Sequence, residues 1–323
     1  MKSFIRALGR EAESRAAALA TNRGGGTATL YFGGGTPSML SDTHLGHLME
    51  TLDRLVPVDK LDEFSFEANP ATFTEKKVRF WRSLGMTRVS LGVQSLDSGI
   101  LHLLGREHTP AQALHSVEML KNAGMPHINM DLMFAIPGQT LSIWEATLKE
   151  AVRAGTDHIS AYNLTYEEDT EFFRSLLRGE KRQDPDEDAA FFELAEHMLE
   201  AAGLRHYETS NYAREGCISP HNMAYWKGED YVGIGPGAVS TINGIRYSNT
   251  RDTDAYIRST LENGLPLSEQ EPVTEEDYRL ERIALMLRTD EGLPLKYILP
   301  ESRPLLEQYR ELGLADAIAA ELC

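Results

Sequence analysis

The sequence predicts an α/β fold built around a parallel β-sheet. Over the first half of the chain, short apolar runs rich in β-branched and aromatic residues alternate with amphipathic segments of helical periodicity. The chain has 323 residues, of which 41% are hydrophobic, enough for one large domain and a smaller one. Strands that alternate with helices need right-handed crossovers, which produce an open doubly wound sheet or a closed or partial barrel.

The first predicted element is an amphipathic N-terminal helix rather than a signal peptide. Its apolar residues recur at helical spacing: Phe4, Ile5, Leu8, Ala12 and Leu19. Residues 22–26 interrupt this pattern, and the apolar run TATLYF at 27–32 then predicts the first strand.

Four further strands follow at regular intervals. They are EFSFE at 63–67, RVSLGV at 88–93, INMDLMF at 128–134 and HISAYNL at 158–164. Helices are predicted to begin at Thr74, at Thr109–Pro110 and at Ser142. Pro110 favours a helix start because proline at the first helical position loses no hydrogen bond that the helix needs.

The second half of the chain is predicted to complete the sheet and then form a small, mostly helical domain. An amphipathic helix is predicted over 186–202, and the segments HYETSNYA, YVGIGPGAVS at 231–240 and the strand-like GIRYSN follow it. A further helix is predicted to begin at Thr274. We therefore expect two domains, covering residues 1–245 and 246–323.

Charge and cysteine content narrow the class of protein. The formal net charge is −17, so most of the surface would repel nucleic acid or an anionic membrane. The longest apolar runs are shorter than the roughly 20 residues of a membrane span, which predicts a cytoplasmic protein. Cys217 and Cys323 are too few and too far apart for a disulfide framework or a CxxC metal site.

Polar clusters mark the point where each predicted strand ends. They are GGGTP at 33–37, Glu67-Ala68-Asn69, Gln94-Ser95 and Thr165-Tyr166-Glu167. In α/β barrels the carboxyl ends of the strands collect the functional residues. We therefore expect the site at this rim.

Three residues of the rim carry the chemistry. Glu67 and Asp131 lie in otherwise apolar strands, where an unpaired carboxylate would cost several kcal/mol, so each needs a partner or a ligand. Arg106 could form a structural salt bridge with them, or hold the carboxylate of a ligand. The glycines of GGGTP fit both a tight turn and a backbone that approaches a ligand closely.

Five motifs follow one another along the chain: GGGTPSML, FSFEANP, RVSLGVQSLD, LGREHT and NMDLMFAIPGQT. Together, in this order, they indicate a protein family more specifically than any one of them does alone. They resemble the radical S-adenosylmethionine (SAM) barrel of the family that includes oxygen-independent coproporphyrinogen III oxidase and the HemW-type heme chaperones. The resemblance runs from about residue 1 to about residue 290. It implies a partial parallel (β/α)6 barrel that lacks its first strand, followed by a small helical, winged-helix-like and incomplete C-terminal domain.

The resemblance also implies a SAM site. Gly34, Gly35 and Thr36 would meet the methionine end of SAM, and Glu67 its amino group or ribose. The remaining contacts would come from the following residues: Gln94, Arg106 and Asp131 in the polar shell, and Thr165 and Val239 on the adenine side. SAM is a zwitterion that needs backbone amides, an arginine and acids around it, and these residue types are present. A different nucleotide or phosphate ligand is the alternative.

A later stretch, SPHNMAYWKGEDYVGIGPGA, resembles the HNxxYW signature of the HemW-type chaperones. It implies that His221, Asn222, Tyr225 and Trp226 contact heme, with His221 as the candidate iron ligand. Heme iron accepts a neutral imidazole, and aromatic side chains offer flat area to a porphyrin. Taken alone, the His-Asn pair also fits a hydrogen-bonded corner, and the two aromatic residues also fit a core.

The sequence departs from the family at the iron-sulfur cluster. Radical SAM proteins hold a 4Fe-4S cluster with a CxxxCxxC loop, which this sequence does not contain. We expect the loop and the first strand to lie upstream of Met1, the alternative being a cluster-free remnant. An unpaired barrel edge would favour poor solubility or dimerisation.

The favoured function is a heme chaperone that binds heme and transfers it to an acceptor protein, with SAM and the cluster as its cofactors. The alternatives are a coproporphyrinogen III oxidase-type enzyme, whose activity requires the cluster, and a cluster-free remnant. The expected partners are heme, an acceptor protein and, transiently, a membrane protein, but not nucleic acid. The chain is expected to be a monomer or a dimer.

Overall fold

The computed structural model describes residues 1–21, 27–164 and 185–315. Its core is a seven-stranded sheet in the order β1-β2-β3-β4-β5-β7-β6. Five neighbouring strands are parallel: β1 Thr29–Phe32, β2 Glu63–Ala68, β3 Arg88–Gln94, β4 His127–Phe134 and β5 His158–Asn163. The last two, β6 Arg205–Glu208 and β7 Asn211–Ala213, are antiparallel to their neighbours. The predicted parallel sheet is confirmed.

Helices connect the strands and cover one face of the sheet. In chain order they are α1 Lys2–Ser14, α2 Ala16–Thr21, α3 Asp42–Leu55, α4 Glu75–Ser83, α5 Ser98–Leu103, α6 Pro110–Asn122, α7 Leu141–Ala154 and α8 Pro185–Ala201. Thr74 and Thr109 are the N-cap residues of α4 and α6, as their sequence pattern predicted. The third predicted start, Ser142, was two residues late, because Thr140 is the N-cap of α7.

The two faces of the parallel strands differ in polarity. Side chains alternate along a strand, so residues two apart share a face. On β2, Phe64 and Phe66 pack with Trp81 and the other helix-facing residues of the main core. Glu63, Ser65 and Glu67 of the same strand face the opposite, concave side. The concave face is therefore polar, which is where a ligand site is expected.

The strand β1 lies at an edge of the sheet. In the described part of the chain it pairs with β2 alone, in parallel register. An edge strand of this kind leaves backbone groups available to a further strand.

The remaining elements form a short helix on the concave side and a C-terminal unit. They are α9 Pro220–Lys227, β8 Val239–Ile242, β9 Ile245–Asn249, α10 Thr253–Asn263, β10 Ser268–Pro272, α11 Glu275–Met286 and α12 Arg303–Glu311. The strands β8, β9 and β10 form an antiparallel sheet, in the order β10-β9-β8. The proposed division between residues 245 and 246 falls inside β9, after its first residue, and stays a prediction.

The N-terminal helix is tied to the C-terminal unit through a buried carboxylate. Glu11 of α1 accepts hydrogen bonds from Asn249 Nδ2 at 2.9 Å and from the Tyr256 hydroxyl at 2.7 Å, and pairs with Arg15 at 3.0 Å. These bonds satisfy the carboxylate where water cannot reach it. In the described residues, none of the helices combines the length and the apolar character of a membrane span.

Candidate functional site

The site lies on the concave face, at the carboxyl end of β1 and β2. The hydroxyl of Tyr31 donates to Glu67 Oε1 at 2.7 Å, and the backbone N–H of Gly34 donates to Glu67 Oε2 at 3.2 Å. Burial raises the pKa of Glu67, and these two bonds oppose that rise. Among the described residues, no cation pairs with this carboxylate, so it is available to a positively charged or hydroxyl-bearing ligand.

The glycines before this site differ in what surrounds them. A Cβ on Gly33 would lie 2.6 Å from Tyr31 Cε1 and 2.8 Å from Glu67 Oε1, so a larger residue would displace these two side chains. Gly34 has φ +93°, and a Cβ on Gly34 or Gly35 would meet open space. Thr36 accepts from Asn69 Nδ2 at 3.5 Å. The chain therefore supplies a cradle of exposed backbone next to a carboxylate.

Asp131 lies deeper on the same face and is held by uncharged groups. It accepts from Ser90 Oγ at 2.9 Å and from Asn129 Nδ2 at 2.7 Å. Burial raises the pKa of Asp131 to about 6, and the nearby Glu67 adds to the rise. Two carboxyl groups close together with raised pKa values are typical of a ligand site.

Asn129 continues this network into the interior. Its Oδ1 bonds His158 Nδ1 at 2.7 Å, and the other ring nitrogen of His158 bonds the Tyr207 hydroxyl at 2.8 Å. Burial lowers the pKa of His158 to about 3, so the ring is neutral. The chain from Asp131 to Tyr207 is buried and fully paired, which indicates a rigid support.

Gln94 ends β3 with φ +67°, a conformation uncommon for residues other than glycine. Its Oε1 accepts from the Tyr162 hydroxyl at 2.6 Å. Burial and the charge of Asp131 raise the pKa of Tyr162 to about 12. The strained backbone and the tyrosine together fix the Gln94 amide at the rim.

Three further residues were predicted to contact SAM: Arg106, Val239 and Thr165. Arg106 is half-buried and, in the described structure, pairs with neither Glu67 nor Asp131, so the salt-bridge interpretation is wrong. It lies close enough to Tyr162 to lower the pKa of that hydroxyl. Val239 begins β8 and pairs with Ser248 in the small sheet. Thr165 lies outside the described residues.

The HNxxYW segment forms α9, which is anchored against the lower part of the concave face. Ser219 caps the helix and donates to Glu63 Oε1 at 2.8 Å. The same carboxylate pairs with Arg88 Nε at 2.6 Å, and Arg88 Nη2 donates to the carbonyl of Cys217 at 2.9 Å. This buried ion pair therefore fixes the start of α9 against β2 and β3.

His221 faces the strand β1. Its Nδ1 is 2.8 Å from Thr29 Oγ1, and its ring stacks on Tyr31 with the ring centroids 4.6 Å apart and the planes 12° apart. Tyr225, 43% exposed, meets the same ring edge-on at 5.1 Å. Burial lowers the pKa of His221, so the imidazole is neutral near pH 7. In the described residues nothing hydrogen-bonds its Nε2.

Asn222 and Trp226 lie on the other face of α9. The Asn222 side chain interacts with the Tyr207 hydroxyl and lowers its pKa, and Trp226 interacts with the buried Glu208. Trp226 also packs with Tyr207 and Met223 in a small core. The four residues predicted to contact heme are thus divided: His221 and Tyr225 face the site, whereas Asn222 and Trp226 face the protein.

Sequence reasoning missed Thr29 and Tyr31. Both were assigned only to the strand TATLYF, yet their alternate positions put them on the same face of β1. That alternation was a usable signal. Their partners, His221 and Glu67, could not be read from the pattern because they belong to other elements.

A second group of candidate metal ligands lies at the opposite end of the strands. One ligand atom each from His127, Asp157 and Cys217 lies within 4.8 Å of the others. Burial and the neighbouring Asp157 raise the pKa of the Cys217 thiol, whereas the guanidinium groups of Arg88 and Arg214 act to lower it. Two nearby cations oppose a divalent metal ion, so we assign no metal to this group.

The residues present fit SAM but not a 4Fe-4S cluster. The open space beside Gly34 and Gly35 suits a zwitterion with a free amine and ribose hydroxyls, as does Glu67, which has no cationic partner among the described residues. The chain has two cysteines, fewer than the three thiolates the cluster needs. Cys217, the one within the described residues, lies at the far end of the strands.

Comparison of the sequence with known proteins identifies the family of this chain. Residues 9–151 match the model of the Radical SAM superfamily. The heme chaperone HemW of Bacillus subtilis is 36% identical over 270 residues, which are 83% of this chain and 71% of the relative. The HemW of Mycobacterium tuberculosis is 35% identical over 290 residues, 89% of this chain and 74% of that protein. This chain belongs to the HemW family of radical SAM proteins.

The fold of this HemW-family chain agrees with that assignment. The structure of the coproporphyrinogen III oxidase HemN of Escherichia coli matches it with a TM-score of 0.80 and 21% identity, covering 98% of this chain and 78% of that one. At that identity the likeness shows the fold alone. It confirms the predicted radical SAM barrel with a helical C-terminal region.

Proposed function

We propose that this chain binds heme and passes it to an acceptor protein, with SAM bound at the rim of the barrel. The observation that supports this best is the environment of His221. The ring is neutral, its Nδ1 is bonded to Thr29, and its Nε2 has no partner among the described residues. Metal-binding histidines commonly fix one ring nitrogen by a hydrogen bond and use the other as the ligand.

The surroundings of His221 suit a porphyrin. Tyr225 is 43% exposed and Tyr231 packs against it with ring centroids 4.8 Å apart. These two rings offer flat area beside the free nitrogen of His221. We propose His221 as the iron ligand and Tyr225 as a porphyrin contact, whereas Asn222 and Trp226 support the helix from behind.

The geometry of the rim supports a proposed SAM site. The backbone at Gly34, Gly35 and Thr36 would hold the methionine end, and Glu67 its amine or a ribose hydroxyl. Asp131, Gln94 and Arg106 would complete the polar shell, Arg106 being free to hold the carboxylate. Thr165 and Val239 are proposed on the adenine side. The superfamily uses SAM with a 4Fe-4S cluster, which supplies reductive cleavage of SAM; this chain's cysteines do not provide that cluster.

Transfer requires partners that the proposal also names. We propose that the protein is cytoplasmic and delivers heme to an acceptor protein. The acceptor can be a membrane protein, which the chain would contact transiently. The net charge of −17 disfavours nucleic acid as a partner. The edge of β1 is where a dimer would form, and a monomer is the alternative.

Titration with hemin tests the proposal. We expect saturable one-to-one binding, followed by the Soret band, and a His221→Ala variant that binds at least ten-fold more weakly or with an altered spectrum. The matched control is His115→Ala, because His115 lies on the exposed side of α6 with a side chain 67% exposed. Its titration should equal that of the wild type.

Two results would contradict the proposal. A folded chain, checked by circular dichroism, that does not bind hemin would contradict heme binding. A His221→Ala variant that binds hemin with the affinity and the spectrum of the wild type would contradict His221 as the iron ligand. Consumption of coproporphyrinogen by a cluster-containing form under reducing conditions would favour the oxidase alternative.

A further inference from the structure

We infer that Tyr31 is a positioning residue that couples the SAM-side carboxylate Glu67 to the heme ligand His221. The inference rests on the proposed function, because it concerns how its two ligand sites communicate. It assigns Tyr31, which no motif identified, and predicts that a change at Glu67 alters the way heme is held.

One side chain makes both contacts. The Tyr31 hydroxyl donates to Glu67 Oε1 at 2.7 Å, while its ring lies parallel to the His221 ring at 4.6 Å and 12°. Tyr31 and Glu67 are on neighbouring strands, whereas His221 is on a helix 190 positions later in the chain. The tyrosine therefore bridges the barrel wall and the HNxxYW helix.

The bridge is tightly confined. A Cβ at position 33 would lie 2.6 Å from the Tyr31 ring and 2.8 Å from the Glu67 carboxylate, so a larger residue there would push the two side chains apart. On the other side, Thr29 holds His221 Nδ1 at 2.8 Å. A ligand that takes over Glu67 must therefore compete with the Tyr31 hydroxyl, and any turn of the tyrosine ring changes its stacking on His221.

The opposite face of α9 is held in a different way. Its Asn222 reaches Tyr207, which is bonded through His158 and Asn129 to the Asp131 network. That path is buried and fully paired, whereas Tyr31 is 36% exposed. The helix is thus fixed on one face, and Tyr31 is the adjustable contact on the other.

A double-variant hemin titration tests this coupling. Glu67→Gln is made in the wild type and in Tyr31→Phe, which keeps the ring but loses the hydroxyl. We expect Glu67→Gln to change the hemin dissociation constant about five-fold or more in the Tyr31 background, the lower end of usual coupling between sites. In the Tyr31→Phe background the change should be less than two-fold. Glu50→Gln, an equal charge change at an exposed position of α3, should have no effect in either background.

A second readout is spectroscopic. Addition of SAM should shift the Soret band of the heme-loaded wild type but not that of Tyr31→Phe, and Tyr31→Leu, which loses the ring, should change the spectrum without SAM. If Tyr31→Phe does not fold, Gly33→Ala replaces it, because the added methyl would separate Tyr31 from Glu67.

The outcomes separate this inference from the function on which it rests. Failure of the folded wild type to bind hemin overturns both. Normal hemin binding with an equal effect of Glu67→Gln in the two backgrounds overturns the coupling alone, and the heme chaperone proposal stands.

Discussion

Two glutamates on one strand show how burial and partners separate a structural carboxylate from a ligand-binding one. Glu63 and Glu67 are four residues apart on β2 and face the same side. Glu63 is 2% exposed and pairs with Arg88 at 2.6 Å, with Ser65 and Ser219 as further donors. Glu67 has Tyr31 and Gly34 as donors and, in the part of the chain that the structure describes, no cation beside it.

The difference assigns a role to each position. The lower carboxylate is fully satisfied by the protein and fixes the start of α9. The upper one is incompletely satisfied, and its raised pKa reports the cost of keeping it charged. A group held at such a cost is a candidate to bind a ligand, and the following predictions test the contrast from the largest expected effect to the smallest.

Arg88→Met should destabilise the protein most. It leaves Glu63 buried without its cation, and breaking a buried ion pair in this way costs about 3–5 kcal/mol. Urea unfolding measures the loss. The matched control is Arg106→Met, which should stay within about 0.5 kcal/mol of the wild type because Arg106 pairs with no carboxylate in the described structure. Similar losses in the two variants would contradict the contrast.

Asn129→Ala should cost about 2–3 kcal/mol. It removes hydrogen bonds to Asp131, Ser160 and His158 and leaves their polar groups buried. Thr36→Ala, which loses one long bond to Asn69, should cost less than about 1 kcal/mol. Urea unfolding measures both losses. If Asn129→Ala destabilised the protein no more than Thr36→Ala, the interior network would not be the rigid support described above.

Gly33→Ala should weaken hemin binding about ten-fold while changing stability by about 1 kcal/mol, because the methyl would push the Tyr31 ring off His221. Gly35→Ala enters open space and should leave stability and hemin binding unchanged, yet weaken SAM binding by filling the cradle. Hemin titration and calorimetry with SAM distinguish the two variants. Equal effects on hemin would show that the glycine segment acts as a whole.

Asp131→Asn should change how stability depends on pH. The native pKa of Asp131, about 6, exceeds the unfolded value of about 3.9, so the native state binds more protons between these values. Wild-type stability therefore falls as pH rises from about 4 to 6, and the variant lacks that fall. A two-unit shift corresponds to about 2.7 kcal/mol, which partial solvent access reduces to about 1 kcal/mol. The free energy of unfolding of the wild type and of the variant is measured at pH 4, 5, 6 and 7. The difference between the two proteins should change up to pH 6 and stay constant above it. A difference that is the same at every pH would contradict the raised pKa of Asp131.

Much of the fold could be predicted because the deciding interactions are local. Each parallel strand was found within about two residues, and Thr74, Thr109 and Thr274 were found as helix starts since a capping side chain bonds a backbone N–H three positions later. The rim was also predicted, because the carboxyl ends of parallel strands meet at one edge. The salt bridge considered for Arg106 is not formed with Glu67 or Asp131 in the described structure, since ion pairing depends on distances that no sequence pattern contains. Its role at the SAM site stays a prediction.

By itself the sequence determined the order of strands and helices, the polar rim and the family, all of which follow from periodicity, caps and ordered motifs. Only the tertiary structure decided which groups meet. Strand register brings Tyr31 to Glu67, 36 positions away, and the packing of α9 brings His221 to Thr29, 192 positions away. The same packing divides the HNxxYW residues between the site and the core. Contacts so distant in sequence depend on how β1, β2 and α9 pack together, which is why the site could be located from the sequence while its internal connections could not.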